Sequence, residues 1–143
     1  MLRVSSCGLL LVVFIAGCRL TEREGANPLP ENGAPLTYTE MVNRARGQAT
    51  TALDAYYIDS WLDLEQAAQR LEQSARLLPK TTHVPDNFKT KVEPESEQLR
   101  QDAVKLLEAA RAKNATQVNE VLQRINQRIR QLRPTDKFDV DKK

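Results

Sequence analysis

The chain has 143 residues, 21 Lys and Arg against 19 Asp and Glu, a formal net charge of +2 at pH 7, one histidine and two cysteines. That length holds one sizeable core and leaves no room for a second, and nearly balanced charge lacks the basic footprint of a nucleic-acid binder, so no nucleic-acid partner is expected. Few aromatic residues and glycines, beside many Ala, Leu, Gln, Glu and Arg, favour an all-helical protein.

Residues 1–17 read as a secretory leader, with Arg3 in a short positive start and an apolar stretch from Gly8 to Ile15. A membrane span needs about 20 apolar residues, and this run is broken at Arg19. The segment Phe14-Ile15-Ala16-Gly17-Cys18 resembles the lipobox of bacterial lipoproteins. The resemblance implies cleavage after Gly17 and diacylation of the Cys18 thiol, which becomes the mature N-terminus; an ordinary leader with an incidental cysteine is the alternative. Cys7 then leaves with the leader and Cys18 becomes a thioether, so the mature fold has no disulfide, even in a compartment that permits one. Two acyl chains make a stable anchor. Arg19 stands where an aspartate would resemble an inner-membrane retention signal, so the expected location is the bacterial cell envelope on the periplasmic side, with the outer membrane favoured.

From Cys18 to Leu36 the sequence is polar and interrupted by Gly25, Pro28, Pro30, Gly33 and Pro35, which reads as a flexible tether. As a coil of about 18 residues it holds the domain about 25 Å from the lipid and stretches to about 60 Å.

Four heptad-like stripes follow between residues 37 and 134. The first, from about Tyr38 to Tyr57, carries Tyr38, Val42, Ala45, Ala49, Ala52 and Tyr56 after a capping box at Thr37 and Glu40. The second, from about Ser60 to Leu78, carries Trp61, Leu64, Ala68, Leu71, Ala75 and Leu78, with Asp59 as the expected N-cap and Pro79 as the stop. The third, from about Pro94 to Lys113, carries Leu99, Ala103, Leu106 and Ala110, with Pro94 suited to a first turn. The fourth, after an expected cap at Thr116, carries Val118, Leu122, Ile125, Ile129 and Leu132 before Arg133-Pro134. Four stripes of similar length predict an antiparallel four-helix bundle, with short first and third connections forming hairpins. The longer connection from Lys80 to about Glu93 is compatible with an up-down-up-down order, which short connections favour, or with a crossing along the bundle. Residues 135–143 read as a disordered tail in which Phe138 and Val140 are the residues able to dock.

The stretch from Met41 to Pro134 resembles the cytochrome c-prime and soluble b-type cytochrome superfamily. The resemblance is carried by Tyr57-Ile58-Asp59-Ser60-Trp61, by the Ala and Leu spacing from Ala67 to Leu78, by the loop with Phe88, and by Leu106 to Arg111 leading into Val121-Leu122. It implies a haem bundle, yet Ile125 to Arg133 contains neither the cysteines nor the histidine of the haem motif. Met41 falls near the position of the b-type methionine ligand, without a histidine partner, and reads as a core residue. No haem or other cofactor is therefore expected.

Other chemistry is sparse. His83 lies in a loop with no second histidine or cysteine nearby, Glu93, Glu95 and Glu97 read as acids offsetting a helix dipole, and Ser60, Ser74 and Ser96 have no neighbouring histidine. No glutamate–histidine pair of the di-iron type, phosphate loop or hydrolase elbow occurs, so enzyme activity is not expected. Arg124, Arg128, Arg130 and Arg133 crowd the last helix; they either pair with acids on neighbouring helices or form a basic face for anionic lipid, cell-wall polymer or an acidic partner. The expected function is a membrane-anchored, haem-free interaction or structural module, bound to the membrane through Cys18 and contacting an envelope protein or anionic polymer. A ligand-binding bundle with atypical ligands and a periplasmic chaperone or stress sensor remain alternatives.

Overall fold

Reciprocal bonds between Thr37 and Glu40 start the first helix of the computed structural model, which describes Leu29 and residues 33–134. The leader, Cys18, most of the tether and the tail with Phe138 and Val140 lie outside the described residues. The Glu40 amide donates to Thr37 Oγ1 at 3.3 Å, and the Thr37 amide donates to the Glu40 carboxylate at 2.8 Å. These bonds satisfy two amides that a helix start leaves unpaired, and the Thr37 hydroxyl, donating to the Glu40 carboxylate at 2.7 Å, together with the Thr37 amide holds that carboxyl below its ordinary range. Helix α1 runs Tyr38–Tyr57, α2 Trp61–Leu77, α3 Val92–Arg111 and α4 Ala115–Leu132. A short 3-10 turn, Leu78–Lys80, follows α2 and contains Pro79.

Three boundaries differ from the sequence expectation. Asp59 does not cap α2: it takes a left-handed conformation, φ 60°, and Ser60 occupies the cap position. Thr116 does not cap α4, because Asn114 does so, accepting from the Gln117 amide at 3.1 Å. Helix α3 begins at Val92, ahead of Pro94, because the turn before it delivers the Val92 amide to the Phe88 carbonyl at 2.8 Å. Pro94 stays within the first turn, where a missing amide hydrogen costs little.

Each helix packs against the next in sequence and α1 closes against α4, while the backbones of α1 and α3, and of α2 and α4, stand apart across the core. Hydrogen bonds and ion pairs fix the directions. The first residue of α1 meets the last of α4 through Tyr38 and Leu132, while Tyr56, near the end of α1, donates to the carbonyl of Ala115 at the start of α4. Arg111, at the end of α3, meets Glu65 early in α2, and Arg128, late in α4, meets Glu95 early in α3. The end of α2 returns to the start of α1 where Thr37 and Thr82 form an isolated bridge, the Tyr38 amide donating to the Thr82 carbonyl at 2.8 Å. Neighbouring helices are therefore antiparallel, and the middle connection stays at one end of the bundle.

The core is a single cluster with an uneven division of bulk. Ala45, Ala49, Ala52 and Ala55 face inward from α1, and Ala67, Ala68 and Ala75 from α2, letting these helices approach closely. Helix α4 supplies volume instead, through Val118, Val121, Leu122, Ile125, Ile129 and Leu132. Leu64, Leu99, Leu106 and Ile125 have no exposed surface, whereas Trp61 is only half-buried at the margin.

Candidate interaction surface

The two hairpin turns lie side by side at the end of the bundle opposite Thr37, and their backbones are alike. In the first, Ile58 N–H donates to Asp54, Asp59 N–H to Tyr56 and Ser60 N–H to Ala55; in the second, Ala112 N–H donates to Glu108, Lys113 N–H to Ala110 and Asn114 N–H to Ala109. Asp59 and Lys113 occupy the same left-handed position, at φ 60° and 51°. The chemistry differs sharply. The first turn projects Tyr57, Ile58 and Leu62 at 76%, 72% and 67% exposure, with Asp59 and Asp63 also exposed and Trp61 half-buried beneath them. The second presents Arg111, Ala112, Lys113, Ala115 and Thr116, all exposed and most of them small or basic.

Scattered apolar residues on a surface mean little. Three large ones within six residues, on a turn that needs none of them for its geometry, form an apolar patch of the kind used for contacts. Side-chain placement explains why they miss the core: the buried stripe of α1 ends at Ala55, and that of α2 begins at Leu64. The patch was missed in sequence because Tyr57, Ile58 and Leu62 flank a heptad stripe, where an apolar residue reads as widening the core. The signal that finds it is their bulk opposite the small residues of the matching turn.

Other candidate residues are mostly occupied by structural roles. His83 is exposed in the middle connection at φ 56°, with Thr82 Oγ1 3.1 Å from Nδ1. Ser74 is buried and donates to Gln48 Oε1 at 2.8 Å, Ser96 donates to the Glu93 carbonyl, and Ser60 donates to Asp63 at 2.6 Å. Glu97 receives Arg100 and Gln101, which pull its carboxyl down to about 2. No group of three His, Cys, Asp or Glu able to hold a metal occurs among the described residues.

The arginines of α4 divide. Arg124 and Arg128 converge on Asp102, a buried carboxylate of α3, at 3.3 and 2.7 Å, and Arg128 also donates to Gln98. Arg130 and Arg133 remain exposed. Asp102 was not singled out in sequence, although Arg124 and Arg128 stand four residues apart on one helix face and anticipate a shared acid.

At the opposite end, Leu29 and residues 33–36, the described part of the stretch read as a tether, lie against the bundle. Gln73 grips Leu29 at both backbone atoms, accepting from its amide at 3.0 Å and donating to its carbonyl at 2.9 Å. Leu29 and Leu36 pack against the core, and Leu36 accepts from the Thr82 amide at 3.0 Å. A mainly apolar cleft of about 330 Å³ lies under this segment, lined by Leu29, Pro35, Leu36, Met41, Leu77 and Lys80.

The residues do not fit haem held in the manner of the cytochrome bundles. Ile125 and Ile129 fill inward positions of α4, and Met41 is buried without a histidine opposite it on that helix. No family model matches the chain, and neither the curated proteins nor the solved structures contain a match.

Proposed function

We propose that this chain is an envelope lipoprotein whose haem-free bundle acts as a non-enzymatic interaction module, with the contact made through the Tyr57–Asp63 turn. One observation carries the contact surface: among the described residues, the large exposed apolar side chains are concentrated on a turn at the end of the bundle far from Leu29 and Thr37. The lipid on Cys18 is supported by the lipobox-like sequence alone. Ten residues lie between Cys18 and Leu29, so an anchored bundle has at most about 40 Å of chain before Gln73 grips it. Gln73 stands twelve residues beyond Trp61 on α2, so the apolar turn lies a further ~18 Å along the bundle. The grip places the point of attachment at the end of the bundle away from the apolar turn.

A helical bundle whose buried carboxylate, Asp102, is held by Arg124 and Arg128 and whose apolar turn is exposed suits recognition better than catalysis. The acids on the turn, Asp59 and Asp63, disfavour insertion into anionic lipid and favour a protein surface with basic groups around an apolar seat. The test is photo-cross-linking in intact cells from Ile58, compared with Gln69, an exposed residue on the side of α2. A discrete adduct from position 58 and none from 69 is expected; equal labelling from both positions would refute the turn as the contact surface.

A further inference from the structure

The likeness of the two turns has a chemical counterpart. Position by position, Tyr57 corresponds to Arg111, Ile58 to Ala112, Asp59 to Lys113, Trp61 to Ala115 and Leu62 to Thr116. The same backbone thus carries bulk and negative charge on one turn, small side chains and positive charge on the other. The turns are neighbours on one surface, since Tyr56 bonds to Ala115 across the α1–α4 contact and Arg111 reaches Glu65 across the α2–α3 contact at 3.6 Å.

Two such turns are complementary to themselves under a twofold rotation. An axis lying across the tip, midway between the turns, places the first turn of one molecule over the second turn of another, and does so twice. Ile58 and Tyr57 then face Ala112 and Ala115, which leave room for them, and the tyrosine ring lies within reach of the cations at 111 and 113. Asp59 faces Lys113 in both halves. We infer that the apolar tip is the seat for a second copy of this chain, the bulky acidic turn of each copy lying on the small basic turn of the other. This rests on the turn being the contact surface and names its partner.

The size of the tip sets the strength. Helices about 10 Å across give a bundle end of about 400 Å² per copy, near half of the ~800 Å² per partner in a standard interface. Pairing is therefore weak and reversible, and because the axis sends the two Leu29 ends in opposite directions, two copies on one membrane pair with their bundles lying along it, within reach of the roughly 40 Å of chain that precedes Leu29.

The charge pair gives the test an internal control. Asp59 and Lys113 share one backbone conformation, so each position already tolerates the geometry that the other residue adopts. The full chain, with a photo-reactive residue at position 58, is cross-linked in cells as wild type, D59K, K113D and the D59K/K113D double variant. An adduct of twice the chain mass is expected in the wild type, reduced about tenfold in each single variant and restored to within about twofold in the double variant. A position-specific adduct of another mass overturns self-pairing and leaves the turn standing as a contact surface. Loss without rescue in the double variant also overturns self-pairing, provided circular dichroism shows it folded. Absence of any position-specific adduct overturns both.

Discussion

The hydroxyl of Tyr38, on the first residue of α1, donates a 2.6 Å hydrogen bond to the carbonyl of Leu132, the last residue of α4. Tyr38 has no exposed surface, and its ring lies 5.5 Å from that of Phe88, which the middle connection carries into the core. One side chain thus joins the beginning of the bundle, its end and the loop between its halves. The bond also satisfies a carbonyl that a helix end leaves without an internal partner.

Burial pushes the Tyr38 hydroxyl up to about 12. A group whose ionisation is raised in the folded state adds stability below its unfolded value, near pH 10, and that contribution is lost as pH climbs toward 12. Tyr38→Phe is expected to lower stability by about 1 kcal/mol at pH 8 and to flatten the alkaline decline between about pH 10 and 12. Urea unfolding at about pH 8, 10 and 12 measures the two effects.

Asp102 holds two guanidinium groups from a position whose side chain is 5% exposed. Replacing it with alanine leaves Arg124 and Arg128 to solvent, which they reach only in part, and should destabilise the bundle by about 2 kcal/mol. A cycle with Arg128→Ala isolates the coupling. Additive losses would mean that the pair acts through packing alone.

Gln73 and Leu29 stand 44 residues apart and make a two-point contact. Gln73→Ala should raise hydrogen exchange at the Leu29 amide about tenfold or more while leaving the slowest core amides unchanged. Equal exchange in both proteins would show that the segment before Thr37 is not held by this grip.

Acid should weaken the outer face of α3. Hydrogen bonds from Arg100 and Gln101 depress the Glu97 carboxyl to about 2, and Arg100 also reaches Glu72 at 3.9 Å. A depressed carboxylate adds stability above its unfolded value near 4.5, and that contribution is lost as pH falls from there toward 2. Because the pair is exposed and screened, the effect is small. Glu97→Gln should make the acid limb shallower, as thermal unfolding at pH 5 and 2.5 would show.

The helices were legible in sequence because each inward stripe repeats at steps of three and four, from Tyr38 to Ala52 and from Val118 to Leu132. The caps at Asp59 and Thr116 each missed the cap residue, since hairpin closure decides which neighbour takes the left-handed position and which the cap. Local sequence does not encode that closure. Leu29 read as tether because its partner is a distant glutamine, and Asp102 did not stand out because its cations sit on another helix. The candidate contact surface was the least legible part: Tyr57 and Ile58 differ from core residues only in which way the turn points them.

The apolar turn is held at a membrane only if the other end of the chain is tied down, so the chemistry at Cys18 carries most of the account. Intact-mass measurement of the chain recovered from the membrane fraction tests it most directly. The expected result is loss of residues 1–17 and a lipid adduct on Cys18, absent from a Cys18→Ser variant. A free thiol at Cys18, or cleavage at another residue, would contradict the anchored arrangement.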